Sequence, residues 1–520
     1  MDIIPSKRHR AVLVPFPAQG HINPMTQVAL KLVKEGFLVT FVNTEYNHSR
    51  IEEANKKSLS NHRMIQSVVV PDGLPSSDSR TDIAKLCGVT ENVIVPFLDN
   101  LIHQIKEEDN DSSLCLVVDA FALRAVEIAQ RHHIPKAVLW TSLTATYALV
   151  YNIAPFLSAQ IIPSDGMHTN NYYDLMNLLI IVYVFIANID ILCFLMEAYA
   201  GIPKDFKMVK YLPSMPPLCS AHLPWLPGFT DSQKEFIFHF LNRCMERVRE
   251  IDWVICNSFH HLEAPTICNL VENGGSVYPI GPLIPSAFLN STSGVELEIV
   301  MGFWAEEGEC LNWLDRQSRQ SVIYVSFGSL SVLSETQFQE LALGLEATER
   351  PFLWVVRSDL LEGREAAFPP GFVERIEQSQ RGCLVSWCPQ LRVLSHPSIA
   401  CFLTHCGWNS ALESITMGVP MLCWPYFGDQ FVNQCYIVHV WKIGLSLLKE
   451  STMCTVDETS VIDMAEIRNA VERVLTGEEG AEMKTRVMKL RECAIDAVKE
   501  GGSSYTNFRN FANAMKTVER

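Results

Sequence analysis

Short apolar runs alternate with stretches of helical periodicity along most of the chain. The run Ala11–Phe16 predicts a strand, the polar segment Pro17–Asn23 a turn, and Pro24–Glu35 an amphipathic helix. Gly36 ends that helix, and Phe37–Val42 is the next predicted strand. This strand–loop–helix–strand order is the unit of a parallel, doubly wound sheet, so the sequence predicts an α/β fold.

The same order recurs further along the first half of the chain. An apolar run ends at Asp119, a helical stretch follows, and a second apolar run is entered through Pro135. These predicted elements are the strand Leu114–Val118, the helix Ala122–Gln130, and the strands Lys136–Trp140 and Trp253–Cys256.

A second unit of the same plan follows a segment without strong alternation, Asn257–Leu283, and a stretch rich in Gly, Pro and Ser, Gly281–Ser293. With 520 residues, two domains are expected. We place the first at 1–258, a linker at 259–300, the second at 301–500, and a final helix at 501–520. The predicted elements are strands Ser321–Phe327, Pro351–Val356, Cys383–Ser386, Ile399–Leu403 and Val419–Trp424, and helices Ser334–Ala347, Ala465–Leu475, Ala481–Lys499 and Ser504–Lys516.

One apolar segment, Tyr172–Ala200 within 170–205, does not fit this plan. Its unbroken core is Leu178–Ala187, whereas a membrane span needs about 20 apolar residues. The length favours a packed or interfacial helix, with peripheral membrane contact, over a membrane span.

Composition and charge narrow the class of protein. Hydrophobic residues make up 48% and charged residues 19%, as in a globular protein, and the net charge of −16 argues against a nucleic-acid partner. The N-terminus lacks the pattern of a signal peptide, so we expect a cytoplasmic location where the sixteen cysteines remain thiols. The pairs Cys383/Cys388 and Cys401/Cys406 lie on predicted strands and turns, which favours buried thiols over a metal site.

The stretch Trp387–Gln430 holds the densest set of polar residues near predicted strand ends. Its strand Ile399–Leu403 runs into the turn Thr404–Asn409, and Ser410 opens a helical run, Ala411–Met417. A strand that feeds such a turn directs unpaired helix N–H groups above the sheet, which is an anion site suited to phosphate.

Two residues in the first half suggest proton transfer. His21 follows the first strand, at the sheet edge where open α/β folds bind ligands, and a helix start favours its neutral form. Asp119 ends another strand and would orient the imidazole and stabilise its cation. The alternative for each is a helix-capping role.

Further polar residues lie in or near Trp387–Gln430, each with a structural alternative. His405, Asn409 and Ser410 suit a diphosphate, or Asn409 and Ser410 cap the helix. The other candidates are Glu413 for sugar hydroxyls or the helix dipole, Trp387 for a planar base or the core, Asp429–Gln430 for hydroxyls or a turn, and Ser329 in Val325–Ser329 for phosphate. Asp109–Asp111 has the D-x-D spacing of a cation site but lies in an acidic run before a strand, which favours a solvated loop and no metal.

The residues of this stretch resemble the 44-residue signature of plant secondary-product (family 1) UDP-glycosyltransferases, which begins WCPQ, contains HCGWNS and closes with DQ. Other segments agree, including VPFPAQGHINPM at Val14–Met25, WTS at Trp140–Ser142 and YVSFGS at Tyr324–Ser329. The resemblance covers nearly the whole chain except the apolar segment, where about thirty residues are extra relative to the family pattern.

The resemblance implies a GT-B fold, with two Rossmann-like domains facing a cleft, the acceptor mainly in the first and the UDP-sugar mainly in the second. It implies that His21 is the base and Asp119 its partner, and that the last helix packs back on the first domain. For the donor it implies Trp387 on uracil beside Cys388 and Gln390, Glu413 on ribose, His405, Asn409, Ser410 and Ser329 on the diphosphate, and Trp408, Asp429 and Gln430 on the sugar, Gln430 favouring glucose.

The implied reaction is inverting, metal-independent transfer of glucose from UDP-glucose to a hydroxyl of a small lipophilic acceptor such as a flavonoid, terpenoid, hormone or phenolic, by a monomer with no cofactor. One alternative is a UDP-sugar-binding protein without turnover, its cleft disturbed by the extra segment. Another is a nicotinamide-dependent oxidoreductase, which the absence of a G-x-G-x-x-G fingerprint disfavours.

Overall fold

The structure is a computed structural model that describes residues 9–54, 62–75, 78, 80–109, 112–162, 164, 208–289, 306, 308–358, 360–361, 368–448 and 461–517. The apolar segment 172–200 lies outside these residues, as do parts of the predicted linker and of the D-x-D run. Within the described ranges, none of the helices is both long and apolar enough to cross a membrane.

The first half of the described chain builds a parallel sheet of seven strands in the order β3-β2-β1-β4-β5-β8-β9. A separate antiparallel pair, β6 and β7, lies after residue 207. The strands are β1 (His9–Val14), β2 (Phe37–Thr44), β3 (Ile65–Val70), β4 (Ser113–Asp119), β5 (Lys136–Trp140), β6 (Met208–Val209), β7 (Leu218–Cys219), β8 (Trp253–Cys256) and β9 (Tyr278–Pro279).

Among the residues that the structure describes, the second half of the chain forms a parallel sheet of six strands. Their order is β12-β11-β10-β13-β14-β15. These strands are β10 (Val322–Ser326), β11 (Phe352–Val355), β12 (Gly382–Val385), β13 (Ile399–Thr404), β14 (Met421–Cys423) and β15 (Gly444–Ser446). The two parallel sheets confirm the predicted α/β class.

Helices cover the faces of both sheets because βα crossovers place them there. In the first half they are α1 (Gln19–Lys34), α2 (Glu45–Ala54), α3 (Ile83–Val89), α4 (Val95–Glu108), α5 (Val126–Arg131), α6 (Thr144–Tyr151), α7 (Ile153–Ser158), α8 (Asp231–Val248) and α9 (His260–Glu272). In the second half they are α10 (Glu309–Leu314), α11 (Glu335–Ala347), α12 (Phe372–Ser379), α13 (Gln390–Leu394), α14 (Trp408–Met417), α15 (Gln430–Cys435), α16 (Met464–Leu475), α17 (Gly477–Val498) and α18 (Ser503–Lys516).

The last helix, α18, packs against the first domain. Phe508, Phe511 and Met515 are buried in the same core cluster as residues of β1, β2 and α1. Lys516 lies 3.8 Å from the Glu35 carboxylate, which follows α1. The chain therefore returns to its first sheet after completing the second.

Strand register brings the ends of sequence-distant segments together. Val14 of β1 lies opposite Val118 of β4, so the segments after these strands emerge side by side. In the second sheet Ser326 of β10 lies opposite Thr404 of β13. Both pairs of strand ends face the cleft between the domains, where ligands bind in open α/β sheets.

Several predicted helix starts are wrong. Helix α17 begins at Gly477, four residues before the predicted Ala481, and the predicted helix Ala122–Gln130 is a 3₁₀ turn, Ala120–Ala125, followed by α5. Helix α1 begins at Gln19, five residues before the predicted Pro24, so His21 lies in its first turn and not in a preceding loop. Pro24 is inside the helix, where its missing N–H leaves one carbonyl without a helical donor. Helix α14 begins at Trp408, and its N-cap is Gly407 instead of Asn409 or Ser410.

The cysteines largely follow the prediction. Cys388, Cys401 and Cys406 have free, buried thiols. Burial raises the pKa of Cys401 to about 12, which keeps this thiol protonated and inert. Cys219 differs because it is disulfide-bonded, so the expectation of thiols throughout is wrong at this position.

Candidate active site

His21 lies in the first turn of α1 and faces a cavity of about 230 Å³ between the two domains. Its Nδ1 atom is 2.8 Å from Asp119 Oδ2 and 3.0 Å from the Thr141 hydroxyl. The rings of Phe16 and Phe121 contact the imidazole edge-on, with centroids 5.0 and 5.4 Å away. Because Nδ1 is held by polar partners, Nε2 is the nitrogen left to accept a proton from a ligand.

Asp119 makes both of the contacts that the sequence suggested, one with His21 and one that caps the following turn. Its Oδ2 atom contacts His21, and its Oδ1 atom accepts a hydrogen bond from the Phe121 N–H at 2.9 Å, capping the 3₁₀ turn that follows β4. The carboxylate is fully buried, whereas 22% of the His21 side chain is exposed. The second bond fixes the carboxylate, which in turn orients the imidazole.

The strand-end dipeptide Thr141–Ser142 completes this edge. Thr141 contacts His21, and the Ser142 hydroxyl donates to Asp429 Oδ2 across the cleft. Neither residue was predicted for the site, although two hydroxyl groups directly after β5 were the available signal. Burial raises the pKa of Asp429, while the bonds from Ser142 and Asn433 oppose that rise.

Opposite His21, the helix α14 begins with main-chain N–H groups that no side chain caps. The N-cap Gly407 has no side chain, and the first intrahelical bond runs from the Ala411 N–H to the Gly407 carbonyl. The alternative reading of Asn409 or Ser410 as a cap is therefore wrong. Such a helix start attracts anions through its aligned N–H groups and dipole.

His405 lies beside this helix start and is held between two glycines. A side-chain Cβ at Gly328 would lie 2.5 Å from the His405 ring, and one at Gly407 would overlap it as well. Burial, followed by the charge of Arg357, lowers the pKa of His405 to about 4. The ring is therefore neutral near pH 7, and its buried Nδ1 has no hydrogen-bond partner among the described residues.

Gln390 organises a second group of residues on the far side of α14. Its Nε2 atom donates to Ser410 Oγ at 2.9 Å and to Glu413 Oε2 at 2.8 Å. The Tyr324 hydroxyl donates to Gln390 Oε1 at 3.1 Å and lies 3.4 Å from Cys388 Sγ. Burial raises the pKa of Glu413 to about 7, against the opposing hydrogen bond from Gln390.

The structure thus divides the predicted site residues into two groups. His21 shares the cavity lining with a set from the second domain: Ser329, His405, Trp408, Asn409, Asp429 and Gln430. Asp119 supports His21 from behind. The remaining predicted residues, Trp387, Cys388, Gln390, Ser410 and Glu413, lie outside the cavity lining, and the last three are joined by the hydrogen bonds of Gln390.

Several of these side chains form hydrogen bonds with other groups of the same chain. The Trp408 indole donates to the Asn257 carbonyl at 2.7 Å, and the Asn409 amide donates to the Gly20 carbonyl at 2.7 Å, both in the first domain. Gln430 Oε1 accepts from the Tyr426 N–H at 2.8 Å, which holds the preceding loop. Their predicted ligand contacts stay predictions, and for Trp408 and Asn409 these would come from the main chain.

The first-domain wall of the cavity is largely apolar. Residues of α3, α6 and α8 and of the turn after β4 surround the space next to His21. They include Ile83, Leu86, Phe121, Val150, Ile237 and Leu241. A wall of this kind suits a lipophilic ligand with few polar groups.

The chain is similar to known proteins. Residues 304–497 match the family model described as UDP-glucoronosyl and UDP-glucosyl transferase. The chain is 33% identical to 7-deoxyloganetin glucosyltransferase of Catharanthus roseus, over 98% of this chain and 97% of that protein. It is also 33% identical to (R)-mandelonitrile beta-glucosyltransferase of Prunus dulcis, over 99% of each.

Solved structures are similar over the same extent. UGT71G1 of Medicago truncatula, complexed with UDP-glucose, aligns with a TM-score of 0.76 at 22% identity, over 98% of this chain and 99% of that one. UGT2 of Phytolacca americana, complexed with UDP-2fluoro-glucose and pterostilbene, aligns with a TM-score of 0.71 at 26% identity, over 98% and 99%.

Proposed function

The chain belongs to the plant UDP-glycosyltransferases of family 1, with their GT-B fold, and on this premise we propose that it transfers glucose from UDP-glucose, with inversion, to a hydroxyl of a small lipophilic acceptor. The observation that carries the proposal is the His21–Asp119 pair, 2.8 Å apart, on the same cavity as the uncapped start of α14. The pair supports the assignment of a base, and the helix start supports the assignment of a site for the leaving diphosphate.

In the proposed reaction His21 Nε2 takes the proton of the acceptor hydroxyl as its oxygen attacks the anomeric carbon of glucose. Asp119 stabilises the imidazolium that forms. The bond from the anomeric carbon to the diphosphate oxygen breaks, and its electron pair leaves with UDP. Attack and departure occur on opposite faces of the sugar, so the configuration inverts.

We propose that hydrogen-bond donors of the protein, and not a metal ion, stabilise the negative charge that develops on the leaving diphosphate. The candidates are the main-chain N–H groups of Trp408 and Asn409, the hydroxyl groups of Ser329 and Ser410, and the neutral ring of His405. Preorganised donors of this kind stabilise developing charge because they need no reorganisation during the reaction. Activity that persists at full rate in excess EDTA is the expected result, and loss that added Mg²⁺ restores would contradict this part.

The remaining donor contacts are those that the family resemblance implies. We propose Trp387 and Gln390 for the uracil, with the Cys388 main chain beside them, and Glu413 for the ribose hydroxyls. Asp429 and Gln430 would bind the sugar hydroxyls from the cavity wall. The division of labour is acceptor binding by 1–258 and donor binding by 301–500, joined by 259–300 and the helix in 501–520.

The acceptor class follows from the apolar wall and from relatives. Two proteins that are 33% identical to this chain are named for glucosylation of 7-deoxyloganetin and of (R)-mandelonitrile. We propose a monomer, since one chain supplies both walls of the cleft. We propose a cytoplasmic location.

The test is formation of a glucoside, read by mass, from UDP-glucose and a panel of phenols, flavonoids and terpenoid alcohols. His21→Ala should lower kcat by about 100-fold or more, since loss of a general base has that size of effect. The matched control is His132→Ala, because His132 also pairs with an aspartate, Asp99, at 2.7 Å but lies outside the cavity lining. Full activity of His21→Ala would overturn the base assignment.

A further inference from the structure

Pro24 leaves a carbonyl in the first turn of α1 without a helical donor. In a regular helix the N–H of residue 24 would donate to the Gly20 carbonyl, but proline has no N–H and its ring pushes that carbonyl outward. The orphaned carbonyl belongs to the residue directly before His21. Its hydrogen bonding therefore affects the position of the proposed base.

The Gly20 carbonyl accepts a hydrogen bond from a side chain of the other domain. Asn409 Nδ2 lies 2.7 Å from the Gly20 oxygen, a bond between residues 389 positions apart. Asn409 is in the first turn of α14, whose N–H groups are the proposed diphosphate site. One hydrogen bond thus joins the helical turn that carries His21 to the helical turn that is proposed to bind the diphosphate of UDP-glucose.

A chain of hydrogen bonds fixes the orientation of the Asn409 amide. The Leu283 N–H donates to Asn257 Oδ1 at 2.8 Å, which leaves Asn257 Nδ2 to donate to Asn409 Oδ1 at 3.4 Å. With its oxygen facing a donor, Asn409 presents its nitrogen to Gly20, which can only accept. The amide is therefore oriented by partners on both sides, and Trp408 supports the same region through the Asn257 carbonyl.

We propose that Asn409 is a positioning residue whose amide sets the placement of His21 relative to the donor, and that it does not bind the diphosphate through its side chain. This inference rests on the proposed transfer reaction. Gly20 and Asn409 both line the cavity, so bound substrates would exclude water from their bond and strengthen it. Misplacement of a catalytic group by about 1 Å can cost about 100-fold in rate.

The primary test separates catalysis from donor binding. Asn409→Ala removes the amide and keeps the main-chain N–H, so kcat should fall about 10-fold or more while the Kd for UDP, measured by calorimetry, changes less than about 2-fold. Unchanged UDP binding also shows that the variant is folded. An unchanged kcat, or a loss of UDP affinity as large as the loss of kcat, would overturn the proposal.

Pro24→Ala supplies a second, independent test. It gives residue 24 an N–H that can donate to the Gly20 carbonyl, so the first turn holds its shape with less dependence on Asn409. The loss of kcat caused by Asn409→Ala should then be about 3-fold or more smaller in the Pro24→Ala background than in the wild type. An equal loss in both backgrounds would contradict the role of the Gly20 carbonyl.

Failure of this inference can be distinguished from failure of the proposed function. A wild-type protein that forms no glucoside with any acceptor would defeat the proposed function itself. An active wild-type protein beside an Asn409→Ala variant of equal kcat would defeat only the positioning role.

Discussion

Asp119 Oδ2 lies 2.8 Å from His21 Nδ1, although the two residues are 98 positions apart. The contact exists because β1 and β4 are neighbours in register, Val14 opposite Val118, so that the segments leaving both strands meet at one edge. The fold itself, more than any local motif, builds the proposed base.

Asp119→Asn should therefore lower kcat by about 100-fold or more, since an amide orients the imidazole less well and does not stabilise its cation. The control is Asp99→Asn, which changes the carboxylate paired with His132 and should leave kcat within about 2-fold. Steady-state rates of glucoside formation measure both. Equal, small effects of the two substitutions would rule out a special role for Asp119.

Glu413 predicts a pH dependence of donor binding. Burial raises its pKa to about 7, so half of the carboxyl groups are protonated near neutrality in the unliganded protein. If the carboxylate accepts bonds from ribose hydroxyls, UDP should bind more tightly as the pH rises from 6 to 8. Calorimetry on Glu413→Gln should show a weaker affinity with little dependence on pH in this range, and an unaltered pH dependence would disprove the assignment.

Glu413 should also affect the stability of the fold, and here its contribution should fall as the pH rises. A carboxyl whose folded pKa is raised favours folding below its unfolded value of about 4.5, and that contribution is lost as the pH rises toward 7. Glu413→Gln removes the burden, so its Tm should exceed that of the wild type by about 2 °C or more at pH 8, and by less at pH 6. A lower Tm at pH 8 would show that the carboxylate stabilises the fold.

His405 should contribute to UDP binding without titrating. Because burial and Arg357 lower its pKa to about 4, the ring is neutral at both pH 6 and pH 8. His405→Ala should weaken UDP binding about 10-fold or more, the size expected for a lost hydrogen bond to a charged group, and by the same factor at both pH values. A loss that grows at pH 6 would instead indicate that the imidazolium binds the diphosphate.

Two separate physical effects favour glycine at position 328, the backbone conformation and the contact with His405. Its φ of +66° is a strained conformation for other residues, and an added Cβ would lie 2.5 Å from the His405 ring. Gly274 has a φ of +79° with nothing within 4 Å of its would-be Cβ, so Gly274→Ala isolates the backbone cost of about 1 kcal/mol.

Gly328→Ala should cost more stability than Gly274→Ala in denaturant titrations, and only Gly328→Ala should weaken UDP binding. Equal stability losses with intact UDP affinity in both would mean that the His405 ring can yield to the added methyl group.

Much of the architecture could be predicted because strands buried on both faces are continuous apolar runs. The predicted Lys136–Trp140 and Trp253–Cys256 match the observed strands, and the ends of β4 and β13 were placed within one residue. Helix starts were harder. Pro24 looked like a first helical residue, and Asn409 and Ser410 looked like caps, whereas the N-caps are Ala18 for α1 and Gly407 for α14.

The sequence could predict which residues form the site, but not the hydrogen bonds that join them. Trp387–Gln430 contains the donor-side residues, but the bonds from Ser142 to Asp429 and from Asn409 to Gly20 join segments hundreds of residues apart. Such pairs depend on how two separately folded sheets face each other, which no local pattern encodes. The same holds for the pKa of Glu413, which burial sets.

The position of α18 has a consequence for synthesis of the protein. Phe508, Phe511 and Met515 complete the core beside β1 and α1, so the first domain is finished by residues that leave the ribosome after the second domain. Until then its strands β1 and β2 lack part of their cover and expose apolar surface. Nascent chains stalled before residue 503 should accordingly be the ones that need a chaperone.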